Sequence, residues 1–445
     1  MSHIDFIIER VEAIGDAAIL GFQNHIASGK ELGERIRSSA AWLRDQGVRQ
    51  GDAVALVGDF SIDTVSIMMA LIDAAAISIP LTPATLRAIG NQLDEVQPSF
   101  VIDATKPTLT VERRSSGEPN ELYRIIQERG APGLVLFTSG STGKPKAVVH
   151  DYSKLLTKFQ KRRPTMVTLN FLLFDHWGGL NTLLHSLSNS AMLVLPDSRA
   201  PDDVCDLVER HRVELLPATP SFLNMLLISG AAKRHDLSSI KVISYGAEPM
   251  PASTLKMVRD AFPKVELRQT YGMIELGVLR AKSKDDSSLW VKLGGEGYDL
   301  RVVDGVLQVR AAAAMLGYLN APSPITPDGY FITGDMVEQD GEYFKILGRQ
   351  SDLINVGGQK VYPAEVETVL LQIEGVVDAS VFGERHPLLG KIVCAAVVVA
   401  EGQDEDELRK RIKRESADRL QPFMVPIRII ISRGSLQNHR LKRQR

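Results

Sequence analysis

Only two cysteines, Cys205 and Cys394, occur in this 445-residue chain. That excludes a disulfide framework and a Cys-rich metal site, and fits a reducing compartment. No HxH pair or His/Cys cluster offers the spacing a bound transition metal needs. Long apolar runs are missing as well. The stretch "SIMMALIDAAAISIPL" is broken by Asp73 and falls short of the roughly 20 residues of a spanning helix. The start, "MSHIDFIIERVEA", has acidic residues where a secretory leader needs a basic flank and an unbroken apolar segment. A cytoplasmic protein with no membrane partner is expected. An excess of one charge sign is also lacking. The net charge of −2 argues against a nucleic-acid binder, whose affinity depends on a cationic surface. Only the final "HRLKRQR" is strongly basic.

What is present has the balance of a globular protein, and the length suggests two or three domains. Strand-like apolar runs alternate with helix-like segments. "ELGERIRSSAAWLRDQGV" places Leu32, Ile36, Ala40 and Leu43 near helical spacing and leads into "AVALVG". "TVSIMMALIDAAA" with "ISIPL", "PDDVCDLVERHRV" with "ELLPA", and "MPASTLKMVRDAFP" with "VELRQTYG" repeat the plan. This order predicts an α/β protein with helices on both faces of mostly parallel sheets. After Gly294 the texture becomes short β-like pieces with turns at Asp304-Gly305 and Asp340-Gly341. A further unit begins near "ILGRQSD", and reads as a strand, a helix from about Pro363 and a strand. The expected domains are 1–348, with a β-rich subdomain, and a small mobile α+β unit at 349–445, long enough to fold alone.

One loop carries the most chemistry. "LVLFTSGSTGKPKAVVH" starts as a buried strand and turns into glycines, hydroxyls and lysines. It is not a P-loop, because Thr138 stands where that motif needs glycine and Pro145 where it needs Ser or Thr. What remains is an anion-binding loop. Gly140 and Gly143 let successive N–H groups converge, Thr138, Ser139, Ser141 and Thr142 add donors, and Lys146 adds charge. A plain Ser/Gly-rich surface turn is the alternative for this loop taken alone.

Six segments occur in order: "FTSGSTGKPKAVVH", "YGAEP", "QTYGMIE", "GYLNAP", "YFITGD" and "GRQSDLINVGGQKVYPAEVE". Together they resemble the adenylate-forming superfamily of acyl-CoA synthetases, peptide-synthetase adenylation domains and luciferases, over almost the whole chain. The resemblance implies a two-step reaction. A carboxylate attacks the α-phosphorus of ATP to give an acyl-adenylate and pyrophosphate, and a thiol or amine then displaces AMP. An acid:CoA ligase using ATP, Mg²⁺ and CoA is the leading reading. Transfer to a carrier protein or an amine, or an inactive nucleotide-binding homologue, are the alternatives.

The resemblance also implies site residues. The loop Thr138–Lys146 holds the β- and γ-phosphates. Tyr271 stacks on adenine with Gly272 allowing close approach. Glu275 holds Mg²⁺, with Thr138 as a second candidate ligand. Asp335 accepts from the ribose hydroxyls and Arg349 adds a second polar contact. Gly246, Ala247 and Glu248 lie between adenine and the acyl pocket, with the two small residues letting ligands pass. His176 stands near the reacting carboxylate with Trp177 nearby. The Phe174-Asp175 pair superficially matches the ammonium-binding Asp of amino-acid-activating relatives, yet an uncharged aromatic or medium-chain acid is preferred. In the C-terminal unit Ser351 is the hinge, and Gly357 and Gly358 admit the pantetheine arm. Two departures stand out. Ile274 replaces the threonine that usually precedes the glutamate, removing one phosphate donor. The tail "SLQNHRLKRQR" lacks the usual Gly-Lys, so Lys442, or alternatively Arg440, takes the place of the catalytic lysine.

Overall fold

The computed structural model describes residues 2–432 apart from 116, 139–143, 286–287, 296 and 401, together with Leu436. Among the described residues the strands form three seven-stranded sheets and one five-stranded sheet.

The first sheet grows from the alternating pattern. Helix Gly29–Asp45 buries Leu32, Ile36, Ala40 and Leu43, and Ser28 caps it by accepting from the Glu31 amide. Strand Ala53–Val57 follows, buried at every position, because it pairs in parallel with Ile77–Leu81 on one side and Phe100–Asp103 on the other. Helix Ile62–Asp73 crosses between two of these strands with a capping box of Ser61 and Thr64. It is apolar nearly all round because it is buried nearly all round. This accounts for the long apolar stretch; no helix among the described residues is long and apolar enough to cross a membrane.

A second sheet sets Leu215–Ala218, Val242–Tyr245 and Glu266–Gln269 in parallel, with helices Pro201–His211, Pro220–Ile228 and Ala252–Ala261 in the connections. A third is antiparallel where it joins Tyr298–Val303, Val306–Ala311, Phe331–Asp340 and Tyr343–Arg349. Its first hairpin closes through Asp304 and Gly305, both at positive φ, as a two-residue turn between twisted strands requires.

The last sheet gathers strands between Ile354 and Ser432 around its own core, which includes Ile354, Val366, Leu370, Val381, Val397 and Ile412. The helix expected from about Pro363 is Pro363–Leu370, and a second helix, Glu405–Arg419, which the sequence reading did not include, adds Leu408 and Ile412 to this core. The Asn224 amide, on helix Pro220–Ile228, donates to the Val377 carbonyl at 3.0 Å and links the large sheets to this one.

Candidate active site

Strands Gly133–Thr138 and Lys146–Asp151 form an antiparallel pair that ends with Thr138 opposite Lys146. The candidate phosphate loop therefore connects two antiparallel strands, and Pro145 immediately precedes the returning one. Ser139, Gly140, Ser141, Thr142 and Gly143 lie outside the described residues. The short strand Gly317–Tyr318 pairs with this returning strand, placing Tyr318 opposite Val148. Asn320 then clasps the base of the loop. Its Oδ1 accepts from the Ala147 amide at 2.9 Å, and its Nδ2 donates to the Pro145 carbonyl at 3.1 Å. Between those two contacts stands Lys146, whose Nζ is 5.0 Å from the Tyr318 ring centroid.

The strand Tyr271–Met273 delivers the next groups. Glu275 is buried, and the Tyr318 hydroxyl donates to its Oε1 at 2.8 Å. The Ile274 side chain sits in the main hydrophobic core rather than among donors. Its carbonyl accepts from His150 Nε2 at 2.7 Å. His150 is itself buried, and burial pushes its imidazole down to about 4 against the opposing pull of that hydrogen bond.

Asp335 and Arg349 occupy facing positions on the strand pair Phe331–Asp340 and Tyr343–Arg349. Arg349 Nε is 2.8 Å from Asp335 Oδ1, and its Nη1 donates to the Thr333 carbonyl at 2.8 Å. Tyr271 donates to Asp335 Oδ2 at 2.6 Å. Burial first, and the Asp335 charge second, hold the Tyr271 phenol well above its ordinary range, so it remains a donor.

A narrow pocket of about 60 Å³ lies alongside, bordered by His176, Trp177, Gly246, Ala247, Gly272 and Met273 among others. His176 caps helix Trp177–Ser188, its Nδ1 accepting from the Gly178 amide at 3.1 Å. The glycines have a steric reason besides the close ligand approach expected from sequence. A Cβ on Gly246 would meet the Thr270 hydroxyl and stand 2.7 Å from the Thr270 carbonyl, and one on Gly272 would stand 2.7 Å from the Gly277 carbonyl. Protein backbone thus fills the space a side chain would take at both, while both glycines also border the pocket. Asp175 Oδ2 accepts from both the amide and the hydroxyl of Thr82, at 3.0 and 2.9 Å, while its Oδ1 is buried without a hydrogen-bond partner among the described residues, and the residue does not border this pocket. Glu248 Oε1 accepts from the Ser221 amide at 2.7 Å, in the first turn of the preceding helix Pro220–Ile228.

Gly358 stands apart from this constellation. It borders a solvent-open basin of about 750 Å³ with Asn355, Arg385, His386, Leu389 and Lys391. Ser351 lies in the short turn Gln350–Asp352, its hydroxyl 3.0 Å from Asp352 Oδ1. Arg440 and Lys442 lie outside the described residues.

The family model for AMP-binding enzymes matches residues 9–305, and that for the AMP-binding enzyme C-terminal domain matches residues 365–441. The chain belongs to the AMP-binding enzyme family. This AMP-binding chain is 25% identical over 480 residues to the 2-succinylbenzoate–CoA ligase of Listeria monocytogenes serotype 4b, covering 98% of each. It is 27% identical over 441 residues to the indoleacetate–CoA ligase of Aromatoleum aromaticum, covering 86% of each. In fold it is similar to the anthranilate CoA ligase AuaEII, with a TM-score of 0.80 at 18% identity, covering 100% of this chain and 95% of that one.

For an AMP-binding enzyme the chemistry available here is polar recognition at two carboxylates, Glu275 and Asp335, each held by a tyrosine hydroxyl. Sequence reasoning passed over Tyr318 and Asn320, although "GYLNAP" was the signal that marked them. It passed over His150 too, which ends the first motif.

Proposed function

We propose that the protein is an AMP-forming acid:CoA ligase. A carboxylate oxygen attacks the α-phosphorus of ATP, the bond to the β-phosphate oxygen breaks, and pyrophosphate leaves. The CoA thiolate then attacks the acyl carbon of the adenylate and AMP departs with the electron pair. The observation that carries this reading is the convergence of Lys146 and Glu275 on opposite parts of one tyrosine, Tyr318. A cation suited to phosphate oxygens and an acid suited to a hard cation are thereby brought to one place.

Glu275 fits Mg²⁺, since this ion is held by one or two carboxylates plus substrate phosphates rather than by a protein cage. When bound, it would neutralise phosphate charge; Thr138, opposite Lys146 at the strand end, is the second candidate ligand. Asp335 suits the ribose diol, and Arg349 keeps that carboxylate oriented. His176 and Trp177 border the acid pocket, whose walls include Leu172, Pro217 and Val278. An uncharged aromatic or medium-chain acid suits such walls, and Asp175 is not among the residues that border this pocket. The unit from 349 serves the second step. Gly357 and Gly358 would admit the pantetheine arm, and Arg385 and Lys391 beside Gly358 offer charge for the phosphates of CoA.

Acid-dependent pyrophosphate release, assayed over a panel of aromatic and medium-chain acids with and without CoA, tests this. Thioester formed only with CoA is the expected result. Product formed only with an amine or a carrier protein replaces CoA as acceptor. No turnover with any pairing identifies an inactive homologue, which the core-buried Ile274 would favour.

A further inference from the structure

We propose that Tyr318 is the positioning residue that keeps Lys146 and Glu275 apart and aimed before nucleotide arrives. The inference rests on the ATP-binding role assigned to this site above. Its ground is a juxtaposition: one side chain uses its ring face for the lysine and its hydroxyl for the glutamate.

A lysine and a buried glutamate that both reach one side chain are candidates for an ion pair, since a nearby opposite charge stabilises both. No such pair forms among the described residues. The ammonium stands 5.0 Å from the ring centroid, held by a face weaker than a carboxylate. The Glu275 oxygen accepts from the phenol at 2.8 Å, and a donor on one oxygen leaves the rest of the carboxylate's lone pairs for another ligand.

Tyr318 is placed with little freedom. Its strand pairs with the arm that carries Lys146, the Leu319 amide donates to the Ala147 carbonyl, and Asn320 grips the residues on either side of Lys146. Asn320 Nδ2 is anchored in turn to Glu95 Oε2 at 2.9 Å. On the other side, the Met315 amide donates to the Glu275 carbonyl at 2.8 Å, so the segment leading into Tyr318 also holds the glutamate backbone. The arrangement separates two charges that must both be available at once. Without the ring, Lys146 would neutralise Glu275, and phosphate and metal would each have to break that pair.

Two substitutions separate the parts. Tyr318→Phe keeps the ring and removes the hydroxyl; Tyr318→Leu removes both. ATP affinity of the full chain is measured by calorimetry, once with excess Mg²⁺ and once with a chelator. Tyr318→Phe is expected to match the parent in chelator and to lose about tenfold with Mg²⁺, the scale of one hydrogen bond to a charged group. Tyr318→Leu is expected to lose about threefold or more in chelator as well, the scale of a cation–ring contact. In a Glu275→Ala background, Tyr318→Phe should change the Mg²⁺ titration by less than about twofold, because the hydroxyl then has nothing to orient. If both Tyr318 variants match the parent in both titrations, or lose affinity equally with and without Mg²⁺, the inference is overturned while the ATP-binding role stands. If the parent binds no ATP under either condition, that role fails and takes the inference with it.

Discussion

Arg349 and Asp335 face each other across two antiparallel strands, and the guanidinium Nε lies 2.8 Å from the carboxylate. Since Tyr271 holds the second oxygen at 2.6 Å, the carboxylate is fixed from both ends before any ligand contacts it. A group held this way loses little freedom on binding.

Asp335→Ala is therefore expected to raise the ATP concentration needed for half-maximal pyrophosphate release by about tenfold or more, the scale of losing hydrogen bonds to a charged group. The ranking of acids should stay the same. A changed ranking would place Asp335 in the acyl pocket.

Gly246→Ala tests the steric argument. The added methyl meets the Thr270 hydroxyl and carbonyl, and backbone yields poorly, so a loss of about 1–3 kcal/mol is expected from urea unfolding. An unaltered midpoint would mean that the space is open.

His150 sets an acid limb. Its folded pKa, about 4, lies below the usual 6.5, so above pH 6.5 both folded and unfolded chains carry it neutral. Between those values the unfolded chain takes up a proton that the folded one refuses, and stability falls as pH falls, by up to about 3 kcal/mol at pH 4. His150→Gln, which has no proton to gain, should flatten this limb in urea unfolding series between pH 7 and pH 4.

Lys158 behaves in the opposite range. Its ammonium stands 5.4 Å from the Trp177 ring centroid, and burial, helped by Arg163, pushes it down to about 7. Below pH 7 the folded chain carries this poorly solvated charge; as pH rises from 7 toward 10.5 the folded form sheds its proton first and the penalty fades. Lys158→Met should raise the thermal midpoint most at pH 6 and progressively less toward pH 10. An equal gain at every pH would trace the effect to packing.

The tail yields a half-reaction test. Lys442→Ala should impair adenylate formation and leave transfer from a preformed adenylate nearly intact. If Arg440→Ala alone has that effect, the arginine is the catalytic cation; if both are silent in both assays, the tail takes no part in the chemistry.

Elements with internal periodicity were readable from sequence. Leu32, Ile36, Ala40 and Leu43 mark the buried face of Gly29–Asp45 because their spacing is a property of the helix itself. Partner choice was not readable in the same way. One oxygen of Asp175 accepts from Thr82, 93 residues earlier, and one of Glu248 from an amide 27 residues earlier, so neither neighbour sequence carries the contact. Tyr318 is the same case, since its hydroxyl acts on a residue 43 positions back. Glycines had the opposite difficulty: their presence was plain, but whether ligand or backbone takes the space at Gly246 depends on where Thr270 comes to rest.

The position of Gly358 bears on timing. It opens onto the solvent-facing basin and, like Gly357, does not border the pocket where His176 and Trp177 stand. On the proposed role of that glycine pair, a thiol guided along it would meet no acyl group unless the C-terminal sheet turned, and such a turn would surrender the Asn224 contact to Val377. Substrates would then be handled in strict succession: acid and ATP enter together, pyrophosphate departs, and the thiol is received last. The reactive adenylate would spend its life facing the protein rather than a waiting nucleophile, and the reorientation would serve as the clock between the two chemical steps.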